Sequence, residues 1–290
     1  MKVLVVYKKT AYERWHAEDD PRIRALIAAG DRAVASLERA HANHHRALEE
    51  AEAAFAERGV ETVFRHEHHE PADGFDMVFT LGGDGTLLWA SHTVGKGTPM
   101  VAINSDPEHS VGYFCAGDRH NVGETIDAAL EERLRPTKLT RMEVRIDERV
   151  AHTRVLNDVL FCHDCPAATT RFLIRFGEVE ESHACSGIWV GPAAGSTAAQ
   201  RSAGGKVLPI GSKKLQWVVR ELYRPRGASM ELAKGLIPDG EELLVKTQIR
   251  EGRIYFDGAQ KVAEVDVGSE IVLRRSAEPL TLLGLRSRGR

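Results

Sequence analysis

The stretch Leu81-Gly82-Gly83-Asp84-Gly85-Thr86-Leu87-Leu88 decides how the rest of the chain is read. It follows Phe75-Asp76-Met77-Val78-Phe79-Thr80, a short apolar run suited to a buried strand. It leads into Leu87-Leu88-Trp89-Ala90-Ser91-His92, which reads as a helix start. Strand, glycines and helix together make a place where backbone N–H groups can approach an anion. Glycine tolerates positive φ and puts no side chain in the way, and the helix N-terminus adds partial positive charge. Asp84 is a poor phosphate ligand, because its carboxylate would repel one. It suits a base or a hydroxyl acceptor placed beside bound phosphates. The structural alternative is a plain strand–turn–helix connection with Asp84 as a helix cap.

Working outward, Lys2-Val3-Leu4-Val5-Val6-Tyr7 is a strand apolar on both faces, as a covered parallel sheet requires. Lys8, Lys9 and Thr10 follow at its carboxyl end, where α/β sheets place ligands. Residues 11–30 are mixed and polar, with Pro21 inside them. From Asp31 a helical pattern runs to a stop at Gly59, with Val34, Leu37, Leu48 and Phe55 sharing a face with His41 and His44. The polar run His41 to His45 is a place where that helix could break. Residues 60–64 read as a second strand and residues 99–104 as another, followed by a polar, turn-rich loop to Phe114. The alternation of strand and helix predicts a doubly wound parallel sheet in an α/β domain.

The chain has 290 residues, 42% hydrophobic and 28% charged, which suggests about two domains. A formal net charge of −3 argues against a nucleic-acid or membrane partner and leaves anion binding to a local site. Four cysteines without a signal peptide point to a reducing, cytoplasmic setting. No apolar run is long enough to cross a bilayer. Beyond Pro136 short β-branched or alternating runs, separated by glycines and charged turns, predict a β-rich, sandwich-like second domain. The expected boundaries are 1–136 for the α/β domain and 137–268 for the β-rich domain, with 269–290 as a C-terminal segment.

Two stretches in the second domain carry chemistry. Asn157-Asp158 stands inside the apolar run 155–161, where buried polar groups need partners. A structural polar network or a ligand would supply them. The run Gly191 to Gly205 is small and Gly/Ala-rich, with hydroxyls at Ser196, Thr197 and Ser202, and would let a planar ligand lie against backbone. Thr197 to Ser202 reads as a helix start with Ser196 as its cap. The tracts at residues 66–70 (His-Glu-His-His-Glu) and 162–165 (Cys-His-Asp-Cys) resemble pieces of metal sites. Each lacks a full ligand set, so no protein-bound metal is expected at either.

In order along the chain, Gly82-Gly83-Asp84-Gly85-Thr86, Asn157-Asp158, Gly195-Ser196-Thr197-Ala198 with Ser202-Ala203-Gly204-Gly205, and Asp257-Gly258 resemble the motifs of the NAD kinases. The loop Asn104-Ser105-Asp106-Pro107-Glu108 and the start Lys8-Lys9-Thr10-Ala11-Tyr12-Glu13 are similar to the mitochondrial-type branch. The resemblance implies a phosphotransferase that makes NADP from NAD and ATP, or polyphosphate, with Mg2+, in an enzyme that is at least a homodimer and whose C-terminal segment 269–290 returns to the first domain. It implies Asp84 as the general base for the adenosine-ribose 2′-OH, with Gly82, Gly83, Gly85, Thr86 and Leu88 around the phosphates. By the same resemblance Asn157, Asp158, Thr197, Ala198, Ser202 and Asp257 bind NAD. Asp158 stands where the family has Glu, Ala199 where the common form has an aromatic, and Ser186 where it has Asp. The alternatives are a lipid or sugar kinase sharing the Gly-Gly-Asp-Gly-Thr turn, and a non-catalytic NAD-binding regulator. No Walker A sequence is present, which excludes a standard P-loop ATPase.

Overall fold

The computed structural model describes every residue except 18–19, 67, 225–228 and 286–290. The chain divides into two compact units: Met1–Thr137 with Thr281–Arg290, and Lys138–Leu280.

The first unit runs β1 (Lys2–Tyr7), α1 (Ala11–Ala17), α2 (Pro21–Ala28), α3 (Leu37–Glu57), β2 (Glu61–Arg65) and β3 (Met77–Gly82). It continues through α4 (Asp84–Ser91), β4 (Met100–Asn104), β5 (Gly117–Asp118), α5 (Val122–Leu130) and β6 (Pro136–Leu139). Strand order is β2-β1-β3-β4-β19-β6, with β5 also on β4 and β19 (Leu280–Leu283) the last strand of the chain. The pairs β1–β2, β1–β3, β3–β4, β4–β5 and β4–β19 are parallel. Val3, Val5, Phe79, Leu81, Val101 and Ile103 share a core with Ala47, Ala51 and Phe55 of α3 and Val122 and Ile126 of α5. The alternate residues Leu4, Val6 and Val78 are equally buried, as expected when a sheet is covered on both faces. The helix α4 packs on β1, β3 and β4.

The polar segment 11–30 holds two helices. Asp20 caps the second through a 2.8 Å bond from Arg22 N, with Pro21 in its first turn. The helix α3 begins at Leu37 rather than Asp31 and runs unbroken through His41–His45 for 21 residues, because those polar side chains find partners on neighbouring elements.

In the second unit come β7 (Met142–Ile146), β8 (Arg149–Val155), β9 (Val159–His163), β10 (Thr170–Phe176), β11 (Val179–Cys185) and β12 (Gly187–Pro192). A 3-10 turn (Ala193–Thr197) and α6 (Ala199–Ser202) precede β13 (Leu215–Arg220), β14 (Lys234–Ile237), β15 (Glu242–Thr247), β16 (Gly252–Phe256), β17 (Lys261–Val265) and β18 (Glu270–Arg275). Two six-stranded sheets form, in the orders β11-β10-β15-β18-β7-β8 and β14-β13-β12-β9-β16-β17. All pairings in both are antiparallel. Phe172, Ile174, Val245 and Ile271 of one sheet meet Phe161, Trp217, Ile254 and Val190 of the other in a single core, so this is a sandwich. The return to the first unit, expected from residue 269, begins at Thr281, because Glu270–Arg275 pairs with β15 and β7 inside the sandwich.

Candidate active site

In the first unit the sheet order reverses at β1 and β3, the place where open α/β sheets bind ligands. Three carboxyl ends are tied together there: Lys8 N donates to Leu81 O (3.2 Å) and Ser105 N to Gly82 O (2.9 Å). Asp84 is the first residue of α4, capped by Gly83. Its carboxylate accepts from Tyr113 N through Oδ2 and from Phe114 N through Oδ1, each at 2.9 Å. Two backbone donors thus fix the orientation of the group while each oxygen keeps a second lone pair.

The reason for the glycines differs from the expectation of positive φ. Neither Gly82, Gly83 nor Gly85 has a positive φ. A Cβ on Gly82 would run into the side chain of Thr86, and one on Gly83 would lie 2.6 Å from Ser110 Oγ. On Gly85 it would meet nothing within 4 Å, so only Gly85 leaves a bare, open backbone at the helix start. Thr86 and Leu88 are half-buried on α4.

The loop after β4 carries the two amides that hold Asp84. Asn104 Nδ2 donates to Ser110 O (3.0 Å), and its Oδ1 accepts from Asp106 N (3.1 Å) and Ser110 Oγ (3.2 Å). Asn104, Ser105 and Asp106 are buried. Burial lowers the Lys8 ammonium's pKa, opposed by the charge of Asp106. His44 pairs Nδ1 with Ser105 Oγ at 2.9 Å, and burial, with Lys8 and His45, pushes its pKa down to about 4. Neither Tyr113, Phe114 nor His44 announces this role in sequence; only the polar density of the loop marks it.

In the second unit Asn157 and Asp158 do not lie mid-strand. They stand between β8 and β9, at the point where the chain leaves one sheet for the other. The ladder bonds missing there are replaced by one side chain. Asp257 accepts from Leu156 N (2.8 Å), Asn157 N (2.6 Å) and Asp158 N (3.0 Å), and its own N–H donates to Asp158 O (2.9 Å). Asp257 sits after β16 at φ +51°, a strained conformation for a residue with a side chain. Its carboxylate therefore positions the corner. Asp158 is 5% exposed and accepts from Asn157 Nδ2 at 3.0 Å. Burial, reinforced by Asp257, pushes its pKa up to about 7.

The small-residue run closes on the same corner. A Cβ on Gly195 would overlap the carbonyl of Asn157, and one on Gly191 would press on that carbonyl and on Asp158 Cα. Ser196 is not a helix cap: its hydroxyl, 0% exposed, donates to Ala193 O (2.7 Å) and accepts from Leu208 N (2.9 Å) inside the 3-10 turn. Thr197 and Ala198 follow half-buried and Ser202 is exposed on α6. So Asn157, Asp158, Asp257 and the Gly191–Gly195 backbone are brought together, with Thr197 and Ala198 directly after them.

Of the metal-like tracts, Glu67 lies outside the described residues. Cys162 is half-buried and Cys185 buried, and burial raises both thiols, Cys185 to about 11.

No family model matches the chain. It is 35% identical over 243 residues to a probable NADH kinase of Oryza sativa subsp. japonica, covering 77% of this chain and 75% of that protein. It is 31% identical over 263 residues to an NADH kinase of Arabidopsis thaliana, covering 82% and 83%. The fold matches a crystal structure of yeast NADH kinase complexed with NADH at a TM-score of 0.74 and 15% identity, covering 99% of this chain and 84% of that one. It also matches an NAD kinase from Archaeoglobus fulgidus in complex with ATP at 0.68 and 20%, covering 97% and 93%. With an oriented carboxylate at a glycine-lined helix start, a second polar corner on a β-sandwich and relatives matched over three quarters of their length, the chain belongs to the NAD kinase family.

Proposed function

We propose that this protein transfers the terminal phosphoryl group of ATP to the adenosine-ribose 2′-hydroxyl of NAD or NADH. Asp84, on the first unit, accepts the hydroxyl proton; Asn157 and Asp158, on the second, bind the adenosine half, with Thr197, Ala198 and Ser202 as further contacts. The observation that carries the reading is Asp84, a carboxylate aimed by two backbone amides at a helix start whose Gly85 backbone is open. Phosphoryl transfer asks mainly for positioning and charge neutralisation, with one group to orient the attacking hydroxyl.

Asp257 is assigned a positioning role, since its oxygens are taken by the backbone of 156–158. Gly82 and Gly83 give the turn its tight packing, and Gly85 and Thr86, with Leu88 one turn on, line the approach of the phosphates. The turn offers a cation only one carboxylate and a hydroxyl, while its backbone amides suit phosphate oxygens, which fits Mg2+ carried in on nucleotide phosphates rather than held by a protein cage. When bound, that ion neutralises phosphate charge. The two relatives named NADH kinase favour the reduced dinucleotide as an acceptor. Four free thiols suit a cytoplasmic setting, and no helix among the described residues is long and apolar enough to cross a membrane. A homodimer is the expected assembly, to be read by light scattering.

The test is a rate assay of purified protein with NAD, NADH and diacylglycerol as acceptors against ATP and polyphosphate. Dinucleotide phosphorylation is expected, and Asp84→Asn should lower turnover by about 10²- to 10⁴-fold with dinucleotide binding retained. Turnover on diacylglycerol alone would move the protein to a lipid kinase. A variant within about tenfold of wild type would remove Asp84 from the role of base.

A further inference from the structure

We infer that Glu13, His41 and His45 form a binding site for a borderline divalent transition-metal ion such as Zn2+, separate from the turn at Asp84. Their ligand atoms all lie within 4.8 Å of one another, and they are the single such His/Cys/Asp/Glu group among the described residues. His41 and His45 stand one turn apart on α3, so both imidazoles leave the same face; their ring centroids are 4.3 Å apart. Glu13 reaches them from α1. His45 Nε2 and Glu13 Oε1 are 2.9 Å apart. That is a hydrogen-bond distance, and a tetrahedral ion with bonds of about 2.0–2.2 Å, replacing the proton between them, needs the two atoms to part only to about 3.3–3.6 Å.

The hydrogen bonds around the cluster prepare it for a cation. Thr10 donates both its N–H (2.7 Å) and its hydroxyl (2.9 Å) to Glu13 Oε2. The hydroxyl has one proton, which goes to the carboxylate, so at 3.0 Å from His41 Nδ1 it must accept. His41 therefore carries its proton on Nδ1 and presents a bare lone pair at Nε2. An imidazole tied through one nitrogen to an outer hydroxyl, with the other free, is the arrangement usual for metal-bound histidine.

Two imidazoles with one carboxylate suit zinc, manganese, iron or cobalt rather than magnesium or calcium, which prefer all-oxygen sets. His45 and Glu13 keep side-chain exposures of 40% and 29%, so an ion can enter and retain water. His44, between the two histidines in sequence, is committed to Ser105 and takes no part.

The test is titration of metal-free, full-length, untagged protein with Co2+, read by visible absorption, followed by displacement with Zn2+. One equivalent should bind with a visible band that Zn2+ abolishes. His41→Ala, His45→Ala and Glu13→Gln should each weaken binding by at least about tenfold. Cys162→Ser with Cys165→Ser should change nothing. His45→Cys, which restores a donor atom, should recover binding and add a near-ultraviolet thiolate band, so loss in the alanine variants cannot be blamed on folding. Absence of saturable Co2+ binding, equal affinity in the His41→Ala, His45→Ala double variant, or loss with the cysteine variant would overturn the assignment.

Discussion

At the scale of a residue, Asp158 carries the clearest thermodynamic signature. Its carboxyl titrates at about 7 in the folded chain, against about 3.9 for a free Asp. Between those values the folded state holds a proton that the unfolded chain has lost. The contribution of Asp158 to stability is therefore fully present below about pH 4 and declines as pH rises to about 7, by a few kcal/mol in all. A ribose hydroxyl donating to this group would favour its ionised form, so dinucleotide affinity should rise from pH 6 to 8. In Asp158→Asn both slopes should flatten, with stability above pH 7 higher than wild type and affinity lower by about 1–3 kcal/mol. Urea unfolding and calorimetric titration at several pH values check the two halves. A steep affinity profile surviving the substitution would show that another group titrates.

At the scale of an element, the glycines separate fold from function. Gly85 lies in the first turn of α4 with open space where a Cβ would go. Gly85→Ala should raise stability by up to about 1 kcal/mol through helix propensity, while activity falls because the methyl occupies the approach to the backbone. Gly195→Ala should do the opposite kind of damage, costing more than about 3 kcal/mol, because the methyl cannot coexist with the Asn157 carbonyl. Thermal melts beside steady-state rates distinguish the two. Elements were unequally legible. The run to Gly82 and the helix after it follow from local pattern alone. Residues 155–161 read as one strand because apolar residues flank Asn157-Asp158 on both sides, and the break depends on Asp257, about a hundred positions downstream. The strand Val-Glu-Glu-Ser-His-Ala-Cys, at 179–185, buries His183 and Cys185 yet shows four polar residues in seven, so its pattern signals a loop. The helices at 11–28 were hidden for the same reason, since no residue of the second is buried. Glu13 and His45 could not be paired from sequence, because spacing says nothing about which face α1 presents to α3.

At the scale of the molecule, composition and the order of motifs indicated two units and their classes, since alternating strands and helices differ plainly from serial short strands. What pattern could not give was where the chain comes back. Leu282 is fully buried and pairs with Met100 of β4. Leu282→Ala should cost the first unit about 2–5 kcal/mol, seen as faster hydrogen exchange in β3 and β4 and a lower urea midpoint. An unchanged midpoint would mean that this strand contributes little to the sheet.

That late strand has a consequence for how the protein is made. Residues 138–280 form a continuous stretch, whereas the first unit takes its strand β19 from residues 280–283. A ribosome therefore delivers the strands of the sandwich as one continuous stretch and withholds a strand of the α/β sheet until residues 280–283 emerge. The part synthesised first is the part completed last, and through most of translation β4 offers the edge on which β19 will lie. Unpaired edges of this kind invite pairing with other nascent chains. Chaperone demand during synthesis should thus fall on the N-terminal unit, and a pause in translation before residues 280–283 should prolong it.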